Sequence, residues 1–242
     1  MKIFRIIYTI YAVGVFVILM FVFCLFIVTP ILISPQGGKV TFFFIRLWAS
    51  IWSFLVGISY DIQGKEHLDF TKPYIYIFNH RSSLDLPVIP MAIKQELRAI
   101  GKKEISKIPV FGFIVSRVAV WVDRKDTASR KASVQRLVEI LRKGISVVVA
   151  PEGTRNDSGQ TLLPFQSGAF RLALETQTPI MPMAVIGADR LMRRGSLILR
   201  PGTIHIYFST PILPENIKGD NPVEQLTEKC FSRLEAMILT HE

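Results

Sequence analysis

A long stretch without any charged residue sets the first constraint on how this chain folds. No charged side chain occurs from Ile6 to Gly38. As a helix, Ile6 to Thr29 would be about 36 Å long, enough to cross a hydrocarbon core of roughly 30 Å. A secretory signal peptide has a shorter apolar region and a small-residue cleavage site. This run ends instead in a turn of the sequence Pro35-Gln36-Gly37-Gly38. We therefore expect a retained membrane helix.

A second apolar segment follows the turn. It runs from Val40 to Ile58 and is interrupted by a single charge, Arg46. It either spans the bilayer or lies in the interface, with its tryptophans among the headgroups. A pair of buried helices in a soluble protein is the alternative, which the uncharged length disfavours. We predict a membrane-anchoring helical hairpin over residues 1–58 and a globular domain over residues 59–242.

The charge of the chain calls for an anionic partner. The 242 residues carry a formal net charge of +10. No nucleic-acid-binding motif is recognisable, and beside membrane segments the anionic lipid headgroups and phosphate-bearing substrates explain the charge better. The two cysteines, Cys24 and Cys230, form neither a disulfide framework nor a metal pattern. We expect no nucleic-acid partner, no metal and no cofactor.

Strand and helix patterns alternate after residue 58. The amphipathic helix Thr127–Lys143 precedes Ile145–Ala150, an apolar run typical of a strand buried on both faces. This alternation predicts the α/β class, with a largely parallel mixed sheet flanked by helices. Two further strands are expected at 197–199 and 203–208, where His205 is interpreted as a structural residue without a nearby carboxylate. Active sites of such sheets lie at the carboxyl ends of strands.

One such strand end carries the segment Asn79-His80-Arg81-Ser82-Ser83-Leu84-Asp85. It joins an apolar strand to a proline-bearing helix that either serine can cap, and Asp85 falls in the first helical turn. From there Asp85 can reach back to His80, which makes the base and orienting carboxylate of a catalytic triad. Ser82 is the nearest nucleophile, but it is poorly placed on a tight turn. We interpret His80 as the base that activates a hydroxyl of the substrate.

Basic residues follow three other strands. Arg155 and Arg124 each come directly after an apolar strand, and Lys102 stands at a further strand end. Arginine binds phosphate bidentately and lysine adds a point charge. Each of these cations alone is more simply a surface charge, or a partner of Glu152 or Asp123. Together at one sheet edge, they indicate a phosphate pocket.

The chain resembles the glycerolipid acyltransferase family that includes the 1-acyl-sn-glycerol-3-phosphate acyltransferases. Four blocks carry the resemblance, in the family's order and over roughly residues 60 to 210. They are Asn79-His80 with Asp85, Val120 to Arg124, Pro151 to Arg155 (after Ala150, where phenylalanine is usual), and Thr178 to Ala184. The resemblance implies a glycerol-3-phosphate acyltransferase-like fold in which residues 59–242 form the catalytic domain.

The same resemblance implies acyl transfer from acyl-CoA or acyl-carrier protein to the sn-2 hydroxyl of lysophosphatidate. His80 would be the general base and Asp85 its orienting partner. The substrate-binding residues implied by the matching blocks are Arg155 and Lys102 for the acceptor phosphate, Arg124 in support, Glu152 to orient Arg155, and Gly153 and Thr154 beside them. The partners expected are membrane lipids, the lysophospholipid acceptor and the acyl donor.

Three alternatives stay open. The acceptor can be glycerol-3-phosphate, another lysophospholipid or a lyso-aminolipid. The protein can instead be a hydrolase, a thioesterase or lipase in which His80 activates water. It can also be a catalytically silent lipid-binding or scaffold protein. The basic residues Lys2 and Arg5 place the N-terminus in the cytoplasm by the positive-inside rule. A hairpin then leaves the catalytic domain on the cytoplasmic face of the membrane, which we take to be a bacterial inner membrane.

Overall fold

The computed structural model describes residues 2–34, 36–122 and 126–242. The helices are α1 Lys2–Ile33, α2 Gly38–Leu55, α3 Asp85–Ala92, α4 Phe111–Val115, α5 Thr127–Arg142, α6 Gly168–Thr176, α7 Ala188–Leu191 and α8 Pro222–His241. The strands are β1 Ile58–Gln63, β2 Ile75–Phe78, β3 Leu97–Lys102, β4 Ala119–Val122, β5 Ser146–Val149, β6 Ile180–Ile186 and β7 Gly202–Phe208. Short 3₁₀ segments cover Lys65–His67, Lys103–Lys107 and Pro214–Asn216.

The described strands form one sheet in the order β1-β7-β6-β2-β5-β3-β4. From β6 to β4 all neighbours are parallel. Strand β7 is antiparallel to β6, and β1 is parallel to β7. The prediction of a largely parallel mixed sheet flanked by helices is confirmed. Strand β2 lies between β5 and β6, so the residues that follow these three strands meet at one edge of the sheet.

The central strands are apolar because helices cover both faces of the sheet. Every residue of β2 and β6 is buried. Successive side chains of a strand point to opposite faces. Accordingly Tyr76 and Phe78 pack in the core that includes residues of α2 and α3, whereas Ile75 and Ile77 pack in the core formed with α5, α6 and α8.

Helix α1 lies along the globular part of the chain and contacts it repeatedly. The Tyr8 hydroxyl donates to the Val56 carbonyl oxygen, and the Leu199 amide donates to Thr9 Oγ1 at 3.0 Å. Farther along, Thr41 Oγ1 of α2 donates to the Ile27 carbonyl oxygen at 2.7 Å. Helix α1 is therefore fastened along one side. Pro35, in the predicted turn between the two helices, lies outside the described residues.

The other side of α1 is exposed and apolar. Among the described residues, one helix is long and apolar enough to cross a membrane, over Ile3–Ile33. Its exposed side chains include Phe4, Ile7, Ile10, Val17, Ile18, Phe21, Val22, Leu25 and Phe26. Exposed apolar area on this scale marks an interaction surface, and it is consistent with association with a membrane.

Two details differ from the expectations. The segment at residues 197–199 is irregular rather than a strand, because Leu199 bonds to Thr9 of α1 instead of a strand neighbour. His205 does have a nearby carboxylate, since the parallel register of β1 and β7 places Asp61 opposite it. The distance from His205 Nδ1 to Asp61 Oδ2 is 3.1 Å. These partners are 144 residues apart in the chain, so local patterns do not reveal the pair.

Candidate active site

The turn between β2 and α3 holds the histidine and aspartate predicted from the sequence. The distance between His80 Nδ1 and Asp85 Oδ2 is 2.5 Å. The His80 side chain is 29% exposed, whereas the Asp85 side chain is 5% exposed. Since Nδ1 faces the carboxylate, Nε2 lies on the opposite edge of the ring. A ring held in this way can present Nε2 to a substrate as an acceptor of a proton.

The electrostatics of Asp85 are set by its burial. Burial raises the pKa of Asp85 above its ordinary value, and the hydrogen bond from His80 opposes that rise. The charges of His80 and Arg155 and the backbone of Ser82 also favour the ionised form of Asp85. A buried carboxylate of this kind is stabilised by a cation beside it. The Asp85 carboxylate therefore stabilises the His80 ring once the ring has taken a proton.

Asn79 fastens the start of the turn to the sheet. Its Nδ2 donates to the Val185 carbonyl oxygen at 2.8 Å, and the Val185 amide donates to Asn79 Oδ1 at 2.7 Å. The side-chain amide thus replaces a peptide group and extends the pairing of β2 with β6. The motif predicts Asn79 as one of its positions without assigning it this role. An asparagine directly after a buried strand is the sequence feature from which this role could have been predicted.

Glu152 holds the His80 peptide from the side of β5. Its Oε1 accepts from the His80 amide at 2.8 Å, and its Oε2 accepts from the Leu163 amide at 2.9 Å. Glu152 was expected to orient Arg155, but its two carboxylate oxygens accept from these backbone amides, and Arg155 Nη1 donates to Ser83 Oγ. Burial raises the pKa of Glu152, and the two backbone bonds oppose the rise. The His80 carbonyl oxygen accepts in turn from the Asn156 amide at 2.7 Å.

Arg155 reaches the turn that holds His80 and Asp85. Its Nη1 donates to Ser83 Oγ at 2.5 Å, and its charge acts on Asp85. The turn that delivers it contains Gly153 at a φ of 73°, a left-handed conformation that glycine adopts without steric cost. Thr154, next to it, is exposed. The structure therefore brings Arg155 to the pair formed by His80 and Asp85, as the convergence of strand ends predicts.

The other two predicted cations, Lys102 and Arg124, are not shown beside His80 and Asp85 in the described residues. Lys102 ends β3, which is separated from β2 by β5. Its side chain is largely exposed, and its Nζ lies 3.3 Å from Glu104 Oε1. The structure thus pairs Lys102 with a neighbouring surface carboxylate. Asp123 and Arg124 lie outside the described residues, so the prediction for Arg124 stays a prediction.

Ser82 has a structural part in the turn. It is buried, and its Oγ donates to the Met192 carbonyl oxygen at 2.7 Å while accepting from the Leu84 amide at 3.2 Å. Helix α3 begins at Asp85, three residues after Ser82, and its N-cap residue Leu84 makes no side-chain cap bond. The predicted serine cap on α3 is therefore replaced by this contact just before the helix. Because its hydroxyl hydrogen is engaged, Ser82 is not poised as a nucleophile.

Cavities open on two sides of the turn. Two apolar cavities of about 120 and 190 Å³ lie beside α3, against α1 and α2. Their lining includes Phe16, Phe42, Trp48, Trp52, Leu86 and Ile89. On the other side, a cleft of about 760 Å³ has a lining that includes five arginines and the three carboxylates of Asp157, Asp189 and Glu242. Within the described parts of the chain, no group of three or more His, Cys, Asp or Glu side chains is arranged to hold a metal ion.

These features define an α/β protein with a histidine–aspartate pair at the carboxyl end of a parallel strand, between an apolar and a basic region. The sequence model of the acyltransferase family matches residues 59–186, which include that pair. The chain belongs to this acyltransferase family.

Curated relatives and a solved structure agree with the family. A chloroplastic 1-acyl-sn-glycerol-3-phosphate acyltransferase of Brassica napus is 36% identical over 185 residues, covering 75% of this chain and 53% of the relative. The alpha enzyme of the same name from Mus musculus is 30% identical, covering 69% and 60%. The chain thus spans about half the length of such relatives. The crystal structure of the 1-acyl-sn-glycerophosphate (LPA) acyltransferase from Thermotoga maritima has the same fold. Its TM-score is 0.85 at 20% identity, covering 100% of this chain and 98% of that one.

Proposed function

We propose that this protein transfers a fatty acyl group from acyl-CoA or acyl-carrier protein to the sn-2 hydroxyl of lysophosphatidate, giving phosphatidate. The observation that carries the proposal is the 2.5 Å contact between His80 Nδ1 and Asp85 Oδ2, on a ring whose other edge is partly exposed. The names of the relatives support lysophosphatidate as the acceptor.

The geometry supports direct transfer without an acyl-enzyme. As the acceptor hydroxyl attacks the thioester carbonyl, its proton passes to His80 Nε2, and the C–S bond breaks when the tetrahedral intermediate collapses. The departing thiolate then takes the proton from His80. Asp85 stabilises the positively charged ring between these steps, which is the usual role of the carboxylate in such a pair. Ser82, the nearest hydroxyl along the turn, is bonded to Met192.

Arg155 is proposed to bind the acceptor phosphate. In lysophosphatidate the phosphate is one carbon away from the carbon that bears the reacting hydroxyl, so its binding site must lie close to His80. Arg155 meets this requirement, because its guanidinium contacts Ser83 in the same turn. Its planar group can hold two phosphate oxygens at once.

The apolar cavities beside α3 are proposed to accept acyl chains. Their walls are almost entirely hydrocarbon, with Leu86 of α3 lining both of them. Since α1 and α2 form part of the same walls, an acyl chain in a membrane would meet these cavities from the side where α1 is exposed. We place the catalytic domain on the cytoplasmic face of a bacterial inner membrane. The positive-inside rule puts Lys2 and Arg5, which lie at the start of α1, on that face, and a hairpin of α1 and α2 returns the chain to it.

A donor-by-acceptor screen tests the function. The full chain in detergent is given labelled acyl-CoA or acyl-carrier protein, with lysophosphatidate, other lysophospholipids or glycerol-3-phosphate. We expect labelled phosphatidate with lysophosphatidate, and none with His80→Ala. If the acyl group were transferred only to a different acceptor, that acceptor would be the substrate in place of lysophosphatidate. Release of free fatty acid without an acceptor would make the protein a hydrolase, and no turnover with any pair would leave a lipid-binding protein.

A further inference from the structure

The arginine-lined cleft lies next to the catalytic turn but outside the proposed chemistry. Its cationic walls are Arg81, Arg190, Arg193, Arg194 and Arg200. Arg81 directly follows His80 in the chain. The backbone amide of Asn156, another lining residue, donates to the His80 carbonyl oxygen at 2.7 Å. The cleft therefore begins one residue away from the proposed base.

Three of these arginines are available to a ligand. Arg81 is paired with Glu242 and lies 3.8 Å from Asp189, and Arg194 is 2.9 Å from Asp157. Arg190, Arg193 and Arg200 are exposed, and in the described parts of the chain none of them lies within ion-pair distance of a carboxylate. Three unpaired guanidinium groups around one cleft repel one another, so the arrangement favours a polyanion between them.

The proposed reaction requires two separate phosphate sites. The acceptor phosphate is close to the reacting hydroxyl, which is the position served by Arg155. The phosphates of coenzyme A are separated from the thioester by the long pantetheine arm, so they cannot lie in the same place. The second site must therefore hold several phosphate groups away from Arg155. The cleft does so, because Arg190, Arg193 and Arg200 line it and Arg155 does not.

We propose that this cleft binds the phosphate groups of coenzyme A, with Arg190, Arg193 and Arg200 as the main cations. The inference rests on the proposed acyl transfer and assigns the donor: a carrier with three phosphate groups matches three unpaired arginines. Arg194 supports the cleft wall, since it also donates to the Arg155 carbonyl oxygen. The cleft and the proposed acceptor site are thereby joined by a hydrogen bond between the loop after β5 and the loop after α7.

Binding of free coenzyme A tests the site without any turnover. Isothermal titration of the full chain in detergent compares the wild type with the double variant Arg193→Ala/Arg200→Ala. We expect the Kd for coenzyme A to rise about ten- to a hundredfold or more, the scale of losing hydrogen bonds between charged groups. The Kd for pantetheine, which lacks phosphates, should not change. Arg171→Ala, an exposed arginine on α6, is the matched control and should bind like the wild type.

Kinetics separate the donor from other anions. In the double variant, KM for acyl-CoA should rise while KM for lysophosphatidate stays within about twofold. A rise in KM for lysophosphatidate instead would assign the cleft to the acceptor. Unchanged coenzyme A affinity with a raised KM for acyl-carrier protein would assign it to an acidic carrier protein. Either result overturns the proposal, as does unchanged affinity for coenzyme A in a double variant that unfolds at the wild-type temperature. If coenzyme A binds as expected but no acceptor is acylated, the cleft stands and the proposed function fails.

Discussion

The backbone amide of His80 donates to Oε1 of the buried Glu152 at 2.8 Å. This bond joins the loop after β2 to the loop after β5, and Oε2 of the same carboxylate reaches the Leu163 amide. The position of the His80 ring relative to the sheet therefore depends on a side chain that touches neither Asp85 nor Arg155 by hydrogen bond or ion pair in the described structure.

Replacing Glu152 by glutamine should weaken both the fold and the reaction. The amide has one acceptor oxygen where the carboxylate has two, so one backbone amide loses its partner, which costs about 1 to 3 kcal/mol. We expect Tm to fall by several degrees and kcat to fall while KM changes little. Thermal unfolding and steady-state rates measure both. Glu175→Gln, on the exposed surface of α6, should change neither, and a Glu152→Gln enzyme with wild-type Tm and kcat would contradict this role.

Removing the proposed base should abolish most turnover without unfolding the protein. His80→Ala should stay folded at the assay temperature, but its Tm should fall, because the buried Asp85 carboxylate loses its hydrogen-bond partner. Its kcat should fall at least about a hundredfold, the usual scale for losing a general base. Asp85→Asn should lower kcat as well, since the ring loses its charge-stabilising partner. Near-wild-type turnover by purified His80→Ala would show that another group takes the proton.

The stability of the protein should depend on pH in a definite direction. Burial raises the pKa of Asp85 above its ordinary value of 3.8, so the folded state keeps this proton to higher pH than the unfolded chain does. The free energy of unfolding should therefore fall as pH rises from that value through the raised one. Glu152 acts in the same direction. In Asp85→Asn the fall as pH rises above 3.8 should be smaller, because one of the two groups is removed.

Urea unfolding at a series of pH values measures this dependence. Asp220→Asn, at an exposed position, is the control and should follow the wild-type curve. An Asp85→Asn curve that also follows the wild type would show that Asp85 does not contribute to the dependence.

Arg155 should act on the acceptor rather than the donor. Binding of the phosphate is common to the ground state and the transition state, so its loss should appear mainly in KM. We expect Arg155→Ala to raise KM for lysophosphatidate about ten- to a hundredfold, with KM for the acyl donor little changed. Arg155→Lys should recover only part of this, since an ammonium cannot make the two-pronged contact. The two KM values are measured with the other substrate saturating, and a selective rise in the donor KM would relocate the acceptor site.

The exposed side of α1 should determine binding to lipid. The double variant Phe21→Asp/Leu25→Asp places two charges on that side, where each is costly in hydrocarbon. Its partition coefficient in vesicle flotation should fall at least about tenfold. Leu239→Asp is a matched control, because Leu239 is 64% exposed on α8 and Phe21 is 58% exposed. Equal flotation of both variants would show that another surface holds the protein on lipid.

Local sequence patterns predict the parts of the site that depend on local spacing. His80 and Asp85 are five residues apart across one turn, so their contact follows from a strand and a helix in succession. The bonds from Asn79 to Val185 and from Glu152 to His80 require β2 to lie between β6 and β5. Periodicity contains no information on strand order, so these contacts were not predicted. The same holds for Asp61 and His205, which meet only through the register of β1 and β7.

The pairing of β1 with β7 also determines when the sheet can form during synthesis of the chain. Strand β1 cannot pair with β7 until Phe208 has been synthesised. Strand β2 cannot pair with both neighbours until Ser146–Val149 and Ile180–Ile186 have been synthesised. Sheets built from such distant segments fold slowly. The apolar helices α1 and α2, in contrast, are complete once the first 55 residues have left the ribosome. These two helices are therefore available to a lipid surface well before the sheet exists.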